Sequence, residues 1–207
     1  MTAQISDMFR YKEKEYLVVG IGEGKLFDIS DLDLKPSWPS TACWRGYQAV
    51  FAIVQSRLVL DALHVCLSRP GEGKNQYERE VGPVINGVTP SPPRKDFSWK
   101  DRDLFNNHYE GLNHHLEYSG GLLLANGFNQ SHCIYPAWKY KTVIELIFEA
   151  GLLKQEFDRS ERMAEIREIV DKSQEIDSSN RIPLNEEIKR SMERAFDCSY
   201  RSYERHL

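Results

Sequence analysis

Apolar positions along the chain mark out short strands followed by a helical tail. The longest apolar stretch, residues 41–67, reads as two strands joined by a polar turn at Gln55, Ser56 and Arg57. A strand sends alternate side chains to opposite faces. From Cys43, one face carries Cys43, Arg45, Tyr47, Ala49, Phe51 and Ile53. The other carries Trp44, Gly46, Gln48, Val50, Ala52 and Val54. Neither face is polar throughout, which predicts a strand covered on both sides in the middle of a sheet. Residues 58–67 resume the pattern, with Asp61 and His64 as polar exceptions. The turn lacks the Asn-Gly or Asp-Gly of the strongest hairpin signals, so the hairpin rests on periodicity alone.

Before this stretch, residues 9–11 and 16–21 predict a first pair of strands around Lys12, Glu13, Lys14 and Glu15. Gly20, Gly22 and Gly24 are spaced G-x-G-x-G, and no helix is predicted after them. A phosphate loop needs that helix N-terminus, so a turn is the expectation. Pro36 and Pro39 flank Trp38 in a loop, with a turn of helix near residues 30–34. Residues 68–106 hold many prolines and glycines and predict a long loop, either a functional lid or an insertion. Ile85-Asn86-Gly87-Val88 marks a turn within it. Residues 112–125 read as a second hairpin around Ser119-Gly120-Gly121. Thr142, Ile144, Leu146 and Phe148 alternate with Val143, Glu145 and Ile147, turning at Ala150-Gly151 into a strand over 152–157. A helix competes over 140–149, and the β-branched residues favour the strand.

After Asp158 the period changes. Met163, Ile166, Ile169, Val170, Ser173 and Ile176 lie on one helical stripe behind a capping-box-like Asp158 and Glu161. Pro183 opens a second expected helix, whose apolar face is Ile188, Met192, Ala195, Phe196, Ser199 and Tyr203. Both faces need cover, from the chain's own sheet or from another subunit.

Composition narrows the class. The 207 residues are 41% hydrophobic and 28% charged with a net charge of −4, which fits one soluble globular domain, or one with an appendage, and gives no electrostatic case for nucleic acid. No apolar run reaches the roughly 20 residues of a membrane span, and the first residues lack the apolar core of a signal peptide. Cys43, Cys66, Cys133 and Cys198 are scattered, so reduced thiols in the cytoplasm are expected.

Cys43-Trp44-Arg45-Gly46-Tyr47 with the hairpin behind it, the run Ser119-Gly120-Gly121-Leu122-Leu123-Leu124, and residues 141–151 together carry a resemblance. The chain over residues 16–153 resembles an uncharacterised group of small bacterial proteins that share the Trp-Arg-Gly-Tyr hairpin. The resemblance implies a bacterial, cytoplasmic, β-rich domain, and brings no site residue with it.

Candidate chemistry is sparse. His108, His114 and His115 cluster in sequence, with His132-Cys133 further on, but the spacing fits no ligand motif. Adjacent His114 and His115 face opposite sides of a strand. No metal and no cofactor are expected. His108 with Glu110, or His114 with Glu117, offers acid–base chemistry, yet no nucleophile motif accompanies them. Arg45, between Trp44 and Tyr47, needs a carboxylate such as Asp61 or Glu145 if its strand is buried, and otherwise offers an anion site. Tyr77, Phe97, Trp99, Phe105 and Tyr109 lie in or beside the long loop, where aromatics anchor partners or plug the loop to its own domain.

These readings predict an α+β protein. Residues 1–157 form a mainly antiparallel β sheet, sandwich or partial barrel with a long loop at 68–106, and residues 158–207 form a C-terminal helical pair. The leading functional expectation is a non-catalytic protein-interaction or regulatory module, suited to defence or toxin–immunity settings. It would dock a protein partner or a second copy through the C-terminal helices, with Trp44, Arg45, Tyr47, Trp99 and Tyr109 as binding residues. The alternative is a small hydrolase-like enzyme using His108, Glu110 and His114.

Overall fold

A computed structural model describes residues 4–70, 77–92, 104–127, 137–176 and 194–200. In chain order its elements are β1 (Met8–Tyr11), β2 (Lys14–Ile21), β3 (Tyr47–Val54), β4 (Arg57–Val65), β5 (Ser68–Pro70), β6 (Tyr77–Arg79), β7 (Asn107–His115), β8 (Gly120–Asn126), β9 (Thr142–Glu149), β10 (Leu152–Asp158) and the helix α1 (Ser160–Ile176). Short 3₁₀ turns occupy Ile29–Leu32 and Ala137–Lys139.

The strands run in the order β10-β9-β8-β2-β1-β3-β4, and β10 pairs back onto β4 to close a seven-stranded barrel. All its neighbours are antiparallel except β1 and β3, which pair in parallel with Met8 opposite Val50. Closure is narrow. Leu152 faces Arg57, and backbone bonds run from Leu58 N–H to Gly151 C=O and from Leu153 N–H to Ser56 C=O, 2.8 and 2.9 Å. Gly151 has φ +74°, and a Cβ there would lie 2.2 Å from the Leu116 carbonyl oxygen, so only glycine lets the seam approach so closely.

The predicted strand pairs at residues 9–21 and 142–157 and the central β3–β4 hairpin are present. The β3–β4 turn takes the left-handed conformation at Gln55 and Ser56 without glycine. Three expectations are corrected. Residues 112–125 do not form a hairpin: β7 pairs with β4, and β8 pairs with β2 and β9. The sheet is neither a sandwich nor a partial barrel, because the β10–β4 contact joins its two ends. Nor is the fold α+β with two C-terminal helices: it is mostly β, and α1 is the one α-helix among the described residues. Residues 194–200 of the expected second helix form turns and bends. The amides of Asp197 and Cys198 donate to the Glu145 carboxylate rather than to carbonyls four residues back. The rest of that expected helix lies outside the described residues.

Two cores result. Phe9, Phe51, Leu58, Leu60, Leu63, Tyr109, Leu122, Leu124 and Leu146 fill the barrel. On the outer face of β2, β8 and β9, the residues Val19, Leu123, Ala125 and Val143 are covered by Trp138, Tyr140, Met163, Ile166, Phe196 and Tyr200. Met163, Ile166 and Val170 of the α1 stripe therefore pack against the chain's own barrel. Between the two layers lies Glu145, with no exposed surface. It accepts from Arg159 Nε and Nη2 (2.8 and 2.6 Å), from the Asp197 and Cys198 amides, and from the Tyr200 hydroxyl (2.8 Å). A buried carboxylate is tolerable only when paired and fully hydrogen-bonded, and these contacts supply both. No described helix is long and apolar enough to cross a membrane.

Candidate functional site

Where β1 begins, the barrel wall opens. β1 separates β2 from β3 only from Met8 onward, opposite Leu17 and Val50. The later part of β2 and the first part of β3 extend past it, with residues 4–7 running beside them. A cleft of about 620 Å3 lies there, lined by Ser6, Asp7, Val18, Gly20, Ile21, Leu26, Phe27, Tyr47 and Phe51, with Trp44 and Arg45 at its margin. That volume lies within the range of small-molecule sites. Its floor belongs to the barrel core, and Phe27 meets Tyr47 and Phe51 edge-on at ring distances of 6.0 and 6.4 Å.

Arg45 is fixed at this cleft, but not from a strand. β3 begins at Tyr47, and residues 43–46 form a turn. Gly46 makes that turn, at φ +76°; a Cβ there would fall 2.4 Å from the Ser37 carbonyl oxygen. The partner of Arg45 is neither Asp61 nor Glu145. Both Nη atoms grip Asp7, at 2.7 and 2.5 Å, while Nε donates to the Tyr47 carbonyl at 2.8 Å. Asp7 also receives the Ala49 amide, and the guanidinium lies 4.7 Å above the Tyr47 ring. Burial works against the charge of Arg45, but the Asp7 contacts outweigh it and hold its pKa above the ordinary value. Burial likewise raises the Cys43 thiol and the Tyr47 phenol, keeping both neutral near pH 7.

Beside the cleft stands an aromatic pair. Trp38 and Trp44 are 63% and 68% exposed, with ring centroids 5.8 Å apart. The Trp38 indole N–H donates to the Ser40 carbonyl, and the Trp44 amide donates to Gln4 Oε1 at 3.0 Å. The loop beneath is tied to the barrel by Ser37 N–H to Cys66 C=O and by Cys66 N–H to Gly46 C=O, both 2.8 Å. Two large apolar rings are thus held outward on an anchored turn.

The histidines expected to do acid–base work lie elsewhere, on the outer side of β4 and β7. His108 Nδ1 meets His64 Nδ1 at 2.9 Å, and His108 Nε2 lies 3.3 Å from the Phe105 carbonyl. His64 Nε2 is 3.9 Å from Glu110, which shares Arg10 with Asp61 at 3.1 and 2.6 Å. His114 is not part of this group: its Nδ1 faces the Asn86 amide at 3.5 Å. Among the described residues no Ser, Thr or Cys side chain hydrogen-bonds either ring of the pair, and no group of three or more metal-ligating side chains is placed to hold an ion. His132 and Cys133 lie outside the described residues. So does Trp99, one of the expected binding residues.

Tyr109, another of them, is wholly buried, and its hydroxyl donates to the Pro83 carbonyl. Trp44, Arg45 and Tyr47 do converge. Sequence reasoning passed over Trp38, Ser6 and Asp7, which complete the same corner, and the charge cluster around Arg10. The one available signal for Trp38 was a large aromatic held between two prolines. Gly20, Gly22 and Gly24 cradle no helix N-terminus; the chain after them leads to the Ile29–Leu32 turn, capped by Asp28. Lys25 and Ser30 hydrogen bonds hold the Asp28 carboxylate well below its usual range.

No family model, no curated protein and no solved structure matches this chain.

Proposed function

We propose that the protein is a non-catalytic protein-interaction module of the bacterial cytoplasm, and that it meets its partner through the Trp38–Trp44 face. The observation that carries this reading is the exposed pair itself. Tryptophans are the most enriched residues at binding hot spots, because they bury a large rigid surface at little entropic cost. Here the ordering cost is already met by the Arg45–Asp7 clamp and the backbone ties under the loop. Met163, Ile166 and Val170 of α1 are engaged with the barrel, which favours a contact at the tryptophan corner over one at that part of the helix. Cys43, Cys66 and Cys198 carry free thiols, which suits a reducing compartment.

The test is co-purification from the native host with the wild type and with Trp38→Ala/Trp44→Ala. A stoichiometric protein partner held by the wild type and lost by a folded double variant is expected. A clean monomer from both, or equal capture by both, would overturn the reading.

A second reading, a small hydrolase-like enzyme, has one observation in its favour: the His64–His108 contact with Glu110 beside it. It requires turnover of ester or phosphoester substrates that falls at least a hundredfold in His108→Gln.

A further inference from the structure

Two Asn-Gly pairs occur in the chain, Asn86-Gly87 and Asn126-Gly127. They stand in different settings. Asn86 and Gly87 are exposed at the apex of a two-residue turn, with φ +48° and +77°. The backbone bonds of that turn join Ile85 and Val88, at 3.0 and 2.8 Å, so the Gly87 amide lies outside them. A side chain at Gly87 would meet nothing within 4 Å. Asn126 instead belongs to the β8 ladder, opposite Thr142, and its Nδ2 donates to the Glu15 carbonyl. We propose that Asn86 is a self-modifying site: in the folded protein it loses its side-chain amide faster than Asn126 does, and that loss frees the 85–88 turn from the barrel. This goes beyond the protein-interaction reading and does not depend on it.

The step is a cyclisation. The Gly87 nitrogen bonds to Asn86 Cγ, the Cγ–Nδ2 bond breaks, and the proton shed by the Gly87 N–H leaves with that nitrogen as ammonia. Water then opens the five-membered imide at either carbonyl. One product is Asp, and the other is its isomer, in which the main chain runs through the side chain. Asparagine is a labile residue, and a following glycine puts no side chain in the path of the attacking nitrogen. Closing the imide takes rotation about the Asn86 backbone. A turn apex permits that rotation, and a strand paired along its length resists it. The consequence rests on one bond. Asn86 Nδ2 donates to the Leu112 carbonyl of β7 at 3.2 Å, and Ile85 beside it is packed into the barrel core. A carboxylate only accepts, so the product loses this tie and sets oxygen against oxygen.

The test incubates the full chain at pH 8 and 37 °C, folded and in urea, and follows it by peptide mapping with mass spectrometry. In the folded protein the peptide holding Asn86 is expected to gain one mass unit about threefold or more faster than the peptide holding Asn126, because local opening is easier at a turn than in a ladder. In urea the two should convert at similar rates, since both precede glycine. No conversion at Asn86, equal rates in the folded chain, or the same ratio in urea would each overturn the proposal. Asn86→Asp reads the consequence without waiting for the chemistry. Hydrogen exchange of the Ile85 and Val88 amides should quicken about threefold or more, as loss of one hydrogen bond implies. The Ser91 and His108 amides, bonded to each other's carbonyls at 2.8 and 3.0 Å, should keep their protection. Unchanged exchange at Ile85 and Val88 would show that packing alone holds the turn, and would overturn its release.

Discussion

Gly46 sets the position of Arg45, and through it the cleft and the tryptophans. Its positive φ and the nearby Ser37 carbonyl leave no room for a side chain. Gly46→Ala is expected to cost about 2–3 kcal/mol, from backbone strain plus displacement of the Ser37 loop. Urea denaturation followed by tryptophan fluorescence measures this, because Trp38 and Trp44 sit on the segment that must move. An unchanged midpoint would show that the loop yields freely. Ser6 should respond in the opposite direction. Ser6→Ala removes a buried hydroxyl with no hydrogen-bond partner and is expected to stabilise the fold by about 1 kcal/mol, read from the same denaturation curves. Together the two variants separate what the corner needs for folding from what its buried hydroxyl costs.

Among the elements, the barrel strands were the more readable and the tail the less. β1–β2, β3–β4 and β9–β10 are hairpins of neighbouring strands, and alternation over each pair reports them directly. The partners of β7 and β8 were not readable. Gly120 and Gly121 look like a hairpin turn, but the partner of β7 is β4, some fifty residues earlier, and local periodicity carries no information about that distance. The tail misled for a different reason. Ala195 and Phe196 have helical spacing in sequence, yet the amides that follow are held by Glu145 on β9, a long-range contact that local propensity cannot anticipate. The same applies to Arg45, whose ionic partner Asp7 lies ahead of the first predicted strand, 38 residues away in the chain. Glu145→Gln tests the anchor. It removes the charge that Arg159 faces in a buried layer and is expected to cost about 3 kcal/mol. The first amides to lose hydrogen-exchange protection should be those of Asp197 and Cys198. Retained protection there would show that packing of Phe196 and Tyr200 holds the segment without the carboxylate.

For the molecule as a whole, the buried phenols set its alkaline limit. Burial raises the Tyr118 phenol from its ordinary 10 to about 12, and burial together with the Glu145 charge pushes Tyr200 higher still. A folded-state pKa above the unfolded one means that the native form keeps its proton longer. Their contribution is complete below pH 10, where both states are protonated, and is lost as pH rises from 10 through 12, where only the unfolded chain ionises. Thermal unfolding temperature should therefore fall steeply across that window. Tyrosinate absorbance near 295 nm should show these two rings ionising with unfolding rather than before it. Early, independent ionisation of all ten tyrosines would contradict the burial described.

The way β7 shares an edge with the closing seam bears on synthesis. As the chain leaves the ribosome, the barrel cannot close until β10 has emerged, and an uncovered β4 would be the bare margin of an open sheet. Such margins recruit strands from other nascent chains. β10 takes only the first position of β4, at Arg57, while β7 covers the length from Val59 to Val65 and is made more than thirty residues sooner. β7 therefore serves the newborn protein as a hem that is sewn early and kept. It seals most of the dangerous edge early and leaves a single short stitch for the last strand to complete.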